Sequence, residues 1–294
     1  TMRVSESLIF DTATLNTDSA SQAAQQAQEI ASTGVSVAQP GDNPVAAGLM
    51  VTFNMSSNRF AAISSASSAA SSELGTANDA LNGISSALSQ AKQLAIEFGS
   101  SGYSQAQAAG AAQQVQGLFN QVISDLNTTY GNRYIFGGTQ DGSAPFDPSG
   151  AYQGNYSARN VEMAPGVFQQ ANVLVGSMGT NSSPQSVLST LQALSTALST
   201  NYSPSTVQTA LNGLDTGIAQ VSTTLSQVGV YVNTFNAASS AASTASTNAT
   251  TQAGQEGDAD IINASIKLQT TQTALQASLA ATAQSFKLSL LNYL

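Results

Sequence analysis

Apolar residues recur in alternating steps of three and four along most of this chain. Leu74, Ala77, Leu81, Ile84, Leu88, Ala91, Ala95 and Phe98 form one such series, a spacing that gathers side chains on one helix face. Gly99-Ser-Ser-Gly102 breaks it, and a second series follows: Ala108, Ala112, Val115, Phe119, Val122, Leu126 and Thr129. The longest is Val207, Leu211, Leu214, Ile218, Val221, Leu225, Val228, Val232 and Phe235. Ser203 as N-cap and Pro204 at the first helical position mark its start. If it reaches Gly254, this helix is about 75 Å long at 1.5 Å per residue. Residues 45–144 and 205–294 contain no proline. Proline inside a helix costs about 3 kcal/mol, so both tracts are free to run as long helices.

The two ends carry thinner series. Ala20, Ala23, Ala27 and Ile30 precede the loop STGVSVAQPGDNP, whose Asn43-Pro44 reopens a helix. Ile261, Leu268, Leu275, Leu279, Ala283, Phe286, Leu290 and Tyr293 form the last stripe. That face needs either the N-terminal series or a neighbouring subunit to cover it. Leu8, Ile9 and Phe10 join Ile30 and the last stripe as the expected assembly surface.

Between the long series, over roughly residues 131–183, the pattern changes. The stretch RYIFGGTQDGSAPFD, 133–147, sets aromatics beside a glycine pair and a proline. Tyr134-Ile135-Phe136 reads as a short strand and Gly137-Gly138 as a turn. Ala151-Tyr152, Tyr156, Val161 to Met163 and Val173-Leu174-Val175 are further strand candidates. Tyr134, Ile135, Phe136 and Phe146 are expected to pack the core that joins this segment to the helices, with Gly137 and Gly138 at the turn. Ser183-Pro184 is expected to open a helix carrying Val187, Leu191, Leu194 and Leu198. The fold class is therefore mainly α: an elongated helical rod or bundle with a terminal coiled coil and a small β-rich inserted domain. Three parts are expected: a terminal coiled coil from 1–40 and 257–294, a helical rod from 41–130 and 184–256, and a β-rich outer domain over 131–183.

Composition narrows the function. The chain has neither cysteine nor histidine, which removes thiolate metal sites, disulfides, the commonest general base and the usual triad partner. The net charge of −9 argues against nucleic acid, which needs clustered lysine and arginine. Charged residues make up only 8%, against roughly 25% in typical soluble domains, and Asp215 is the one charge between Met163 and Gln255. Surfaces so neutral are poorly protected against association, which suits a chain packed against copies of itself and equally a Ser/Thr-rich secreted protein. No apolar run approaches the roughly 20 residues that span a bilayer, and TMRVSESLIF lacks the features of a cleaved secretory signal. Asp258 and Asp260 are a carboxylate pair in sequence only, because residues two apart on a helix diverge. DGSAPFD lacks the spacing and closing glutamate of a calcium loop, and IFGG has no following lysine for phosphate. No catalytic residue, cofactor or metal site is predicted, and the chain reads as a non-enzyme.

The order of parts, with STGVSVAQPGDNPVAAGL near the start and LQTTQTALQASLAATAQSFKLSLLNYL over 268–294, resembles the bacterial flagellar axial proteins. Within that family RYIFGGTQDGSAPF and the later GAYQGN (150–155) resemble the hook–filament junction branch, the third hook-associated proteins. The resemblance implies a structural subunit exported unfolded through the flagellar type III conduit, without a cleaved signal. It implies terminal helices that pair as a coiled coil and assemble with copies of the chain and with neighbouring hook-associated proteins or flagellin. An export chaperone and an extracellular site on the flagellum follow from it too. A short flagellin is the alternative within the class. A displayed binding module is the alternative outside it, and would show a pocket with convergent polar groups in 131–183.

Overall fold

A serine, asparagine or proline opens most of the helices at a defined residue. The computed structural model describes residues 2–100, 102–183, 185–200 and 202–291. Among them are six α-helices: α1 (Met2–Thr33), α2 (Pro44–Phe98), α3 (Gln105–Leu126), α4 (Val187–Ser199), α5 (Pro204–Gly257) and α6 (Ile261–Leu291). Two antiparallel pairs of short strands complete the fold, β1 (Thr129–Tyr130) with β2 (Arg133–Tyr134) and β3 (Asn160–Ala164) with β4 (Val167–Gln170).

Asn43 caps α2, its side-chain oxygen accepting from the Ala46 N–H at 3.2 Å. Ser104 and Gln107 form a capping box at α3, each accepting from the other's backbone N–H. Pro204 is the first residue of α5, and the Ser203 carbonyl accepts from Val207. The cap of α4 falls later than the sequence suggests. Ser186, not Ser183, accepts from the Ser189 N–H, and Pro184 lies outside the described residues.

The chain divides into two compact units. One comprises residues 1–58 and 246–294, the other 59–245. The second holds the main apolar core, from Ala70 on α2 to Phe235 on α5. On α2 the buried series runs Ile63, Ser67, Ala70, Leu74, Ala77, Leu81, Ile84, Leu88, Ala91, Ala95, Phe98 without a slip. On α5 the buried positions Val207, Leu214, Val221, Val228 and Phe235 fall seven residues apart. A strict seven-residue repeat on a helix of 3.6 residues per turn forces a left-handed supercoil. Within this unit α2 and α5 run antiparallel. Ser64 donates to the Ser239 carbonyl at 3.0 Å, Lys92 pairs with Asp215 at 2.6 Å, and Gln208 donates to the Gly99 carbonyl at 3.1 Å.

Several sequence readings of the β segment change. Thr129, placed on the second helical series, pairs with Tyr134 in β1–β2; α3 has ended at Leu126, with Asn127 as its cap. Of the predicted strand Tyr134-Ile135-Phe136 only Tyr134 lies in β2; Ile135 and Phe136, both buried, lie in the turn that follows it. Val173 to Val175 forms no strand and leads into a short 3-10 turn, Gly176–Met178. Ala151-Tyr152 contributes only the single bridge Phe146–Tyr152, while β4 was not foreseen.

Candidate assembly surface and β-segment junction

In the first unit α1 and α6 lie antiparallel, zipped by small side chains. The inward positions of α1 are Ala13, Thr17, Ala20, Ala24 and Ala27, and those of α6 are Ala264, Leu268, Thr271, Leu275, Ser278 and Thr282. Both series step by threes and fours. The Thr17 hydroxyl lies 3.2 Å from those of both Ser278 and Thr282. At the other end Gly34, at a φ of 73° that favours glycine, lets the loop turn back. Val35 then bridges Asp258, and the Ser36 N–H and hydroxyl both donate to the Gly257 carbonyl, at 2.7 and 2.9 Å. Asp260 caps α6 by accepting from Ile262 and Asn263.

The sequence-predicted assembly residues divide over this pair. Ile30, Leu268 and Leu275 are half-buried between the helices. Leu8, Phe10, Ile261 and Leu279 are instead at least half exposed. Ala24 takes the buried place expected of Ala23. The side chains of Ile9, Phe286 and Leu290, and all of Tyr293, fall outside the described residues. Leu15, Ile262 and Ile266 also face outward, each more than half exposed, as do Val45 and Met55 at the start of α2. The unit thus hides alanine and hydroxyls and shows large aliphatic side chains, the reverse of a stable isolated coil.

The β segment is fixed by two devices. The first is aromatic and amide packing. Phe136 and Phe146 are fully buried. The Asn127 amide donates to the Phe146 carbonyl at 2.8 Å and accepts from its N–H at 2.9 Å. The Tyr152 ring packs on that of Phe146, tilted by 51° at 5.1 Å between ring centres, and its hydroxyl donates to the carbonyls of Asn155 and Phe136. Burial pushes its phenol up to about 12. Gly138, at a φ of 73°, sits where a Cβ would strike the Asn155 carbonyl. Of the predicted junction residues, Ile135, Phe136 and Phe146 share this buried core, while Tyr134 is half-buried and pairs with Thr129 in β1–β2.

The second device is ionic, and the sequence did not reveal it. Glu73 of α2, 6% exposed, receives Arg133 at 2.8 Å and Arg159 at 2.6 Å. Arg133 also reaches Asp141 at 3.3 Å. Arg59 meets Glu162 of β3 at 2.8 Å; the Gly166 N–H, and then Arg59, hold the Glu162 carboxyl below its usual range. Three of the seven basic residues serve this clamp. Its one sequence signal is a glutamate adjoining Leu74 in a tract otherwise made of Ala, Ser and Leu.

The cavity beside the β segment, about 340 Å3, is lined by Asn120, Ile123, Asn127, Ala144, Phe146 and Pro148, and its Asn127 is already spent on the Phe146 backbone. Among the described residues no acidic cluster is suited to a metal ion, and no helix is long and apolar enough to cross a membrane.

Comparison with known proteins gives the arrangement a family. Residues 4–141 match the bacterial flagellin N-terminal helical region, and residues 211–294 match the bacterial flagellin C-terminal helical region. Over 125 residues the chain is 30% identical to flagellar hook-associated protein 3 of Salmonella typhimurium, and equally to that of Escherichia coli. The match covers 42% of this chain and 39% of each relative, so it spans well under half their length. Among solved structures, a flagellar hook-associated protein from Vibrio parahaemolyticus shares the fold at a TM-score of 0.66 and 18% identity, over 74% of this chain and all of that one. FlgL of Bacillus cereus does so at 0.53 and 21% identity, over 66% of this chain and 91% of its own.

Proposed function

Because both terminal helical regions of the chain belong to the bacterial flagellin family, we propose that it is a structural subunit of the flagellum that joins hook to filament. The observation that carries this reading is the inverted first unit: an α1–α6 pair closed by alanine and hydroxyls, with Leu8, Leu15, Ile262, Ile266 and Leu279 facing outward. Such a face gains its cover from neighbouring subunits, so assembly completes the burial that folding leaves undone. The residues proposed for it are Leu8, Ile9, Phe10, Ile261, Leu279, Phe286, Leu290 and Tyr293, with Ile30, Leu268 and Leu275 closing the α1–α6 pair beneath them. The 30% identity to hook-associated protein 3 supports the junction assignment over a short flagellin.

On this reading the protein works by geometry and packing, not by bond chemistry. It divides into a terminal coiled coil (1–40, 257–294), a helical part (41–130, 184–256) and an outer β part (131–183). It is exported through the flagellar type III conduit, and a chaperone shields the apolar face of α6 beforehand. Its partners are copies of itself and the adjoining hook-associated proteins and flagellin. Electron microscopy of a strain lacking the protein tests the assignment. Bare hooks, with flagellin shed into the medium, are expected. Intact hook–filament joints would overturn the reading, and loss of all filament protein from cells and medium would transfer it to flagellin.

A further inference from the structure

In the first unit the segment after α1 and the segment between α5 and α6 meet at a joint. The Ser36 N–H and hydroxyl donate to the Gly257 carbonyl, the Ala259 N–H donates to the Gly34 carbonyl at 2.8 Å, and Val35 bridges Asp258. Met50 of α2 sits on this joint. A Cβ added to Gly257 would lie 2.8 Å from the Met50 sulfur and would strike its methyl carbon. Gly257 is not among the glycines held at positive φ. Room for Met50, not backbone freedom, therefore requires a glycine there. Met50 and Gly257 are a fitted pair, and the backbone beneath the sulfur is the one that holds Ser36.

With no cysteine in the chain, the thioethers are its oxidisable sulfur. Met178 is buried, Met55 is 68% exposed, Met163 belongs to the second unit, and the Met2 side chain lies outside the described residues. Met50 is half-buried, so a small oxidant reaches its sulfur while the joint still depends on its packing. We propose that Met50 is a modification site for hydrogen peroxide and that its sulfoxide unfastens the joint. The sulfur lone pair attacks one peroxide oxygen and the O–O bond breaks. The other oxygen leaves as hydroxide and takes up the displaced proton to become water. The sulfur loses two electrons and the peroxide gains them. The new S–O group is polar and calls for hydration, and against Gly257 there is no room even for a methyl group. α1 and α6 both leave from this joint, so its loosening reaches the pair proposed for assembly. The modification itself does not depend on that proposal.

The test uses dilute full-length chain treated with hydrogen peroxide, beside Met50→Leu, Met55→Leu and Gly257→Ala variants. Mass spectrometry of peptides locates the added oxygen, and hydrogen exchange reads the joint. The expected result is one oxygen on Met50 and about tenfold faster exchange at the Ser36 and Ala259 amides, with the amides of α3 unchanged. Met50→Leu should abolish that acceleration and Met55→Leu should not. Methionine sulfoxide reductase should reverse it. Gly257→Ala, which pushes Met50 off its seat, should speed the same two amides without peroxide. The proposal is overturned if Met50 stays unoxidised after Met55 has reacted fully, or if it oxidises and the two amides do not change. Equal acceleration in Met50→Leu or across α3, or a Gly257→Ala joint as protected as the parent's, would overturn it too.

Discussion

At the scale of single residues, two buried oxygens among the described residues are left without partners, and each makes a measurable claim. Ser67 occupies a seam position on α2 that Leu74, Leu81 and Leu88 fill further along, and its hydroxyl is buried with no hydrogen bond. Ser67→Ala removes that unpaired group and improves helix propensity, so urea unfolding should show a gain of about 1 kcal/mol. Asp125 ends α3 with its Oδ2 buried, unpartnered and pressed against Gly83. Burial raises its pKa above the ordinary carboxylate value. The folded state therefore holds this proton more tightly than the unfolded chain does. Its contribution to stability is full below the ordinary carboxylate range and is lost as pH rises through the raised value. Asp125→Asn should raise the melting temperature at pH 7 and narrow the difference between pH 4 and pH 7. A variant that melts below the parent at pH 7 would contradict this.

At the scale of elements, the ionic clamp positions the β segment on α2. Glu73→Ala strands two partly exposed guanidiniums, and we expect a loss of about 2 kcal/mol, with the amides of 159–172 exchanging hydrogen faster than those of α3. Equal acceleration everywhere would mean that the clamp serves the whole core. The clamp was illegible in sequence because Glu73, Arg133 and Arg159 are joined only by the fold. The long helices were legible because the α2 and α5 seams repeat without a slip and use Leu, Ile, Val and Phe. The α1–α6 seam was only half legible. Its contact positions include Thr17, Ser278 and Thr282, so a search for apolar residues selected Leu279, which faces out. The short strands were legible only in part: Val161 to Met163 lies in β3 and Tyr134 in β2, and the rest were missed for a related reason. Ile135 and Phe136 are both buried at a turn, while β4 reads Val-Phe-Gln-Gln with its apolar pair exposed.

At the scale of the whole molecule, apolar burial is unevenly shared. The 59–245 unit holds nearly all the large buried side chains, and the other unit buries chiefly alanine. Leu279→Glu should therefore leave monomer stability within about 0.5 kcal/mol of the parent while abolishing incorporation into flagella, read by electron microscopy and by the protein recovered in the axial fraction. Normal incorporation would exclude that face from assembly. The seven-residue spacing of Val207 to Phe235 has one more consequence. A straight helix would let that stripe drift by about 20° per repeat, so the pair α2–α5 in this unit must coil in one hand to keep contact. Such a pair is mechanically chiral: torque in one sense winds it tighter, and torque in the other slackens it. In a rotating appendage, this unit would meet clockwise and counter-clockwise drive with unequal stiffness.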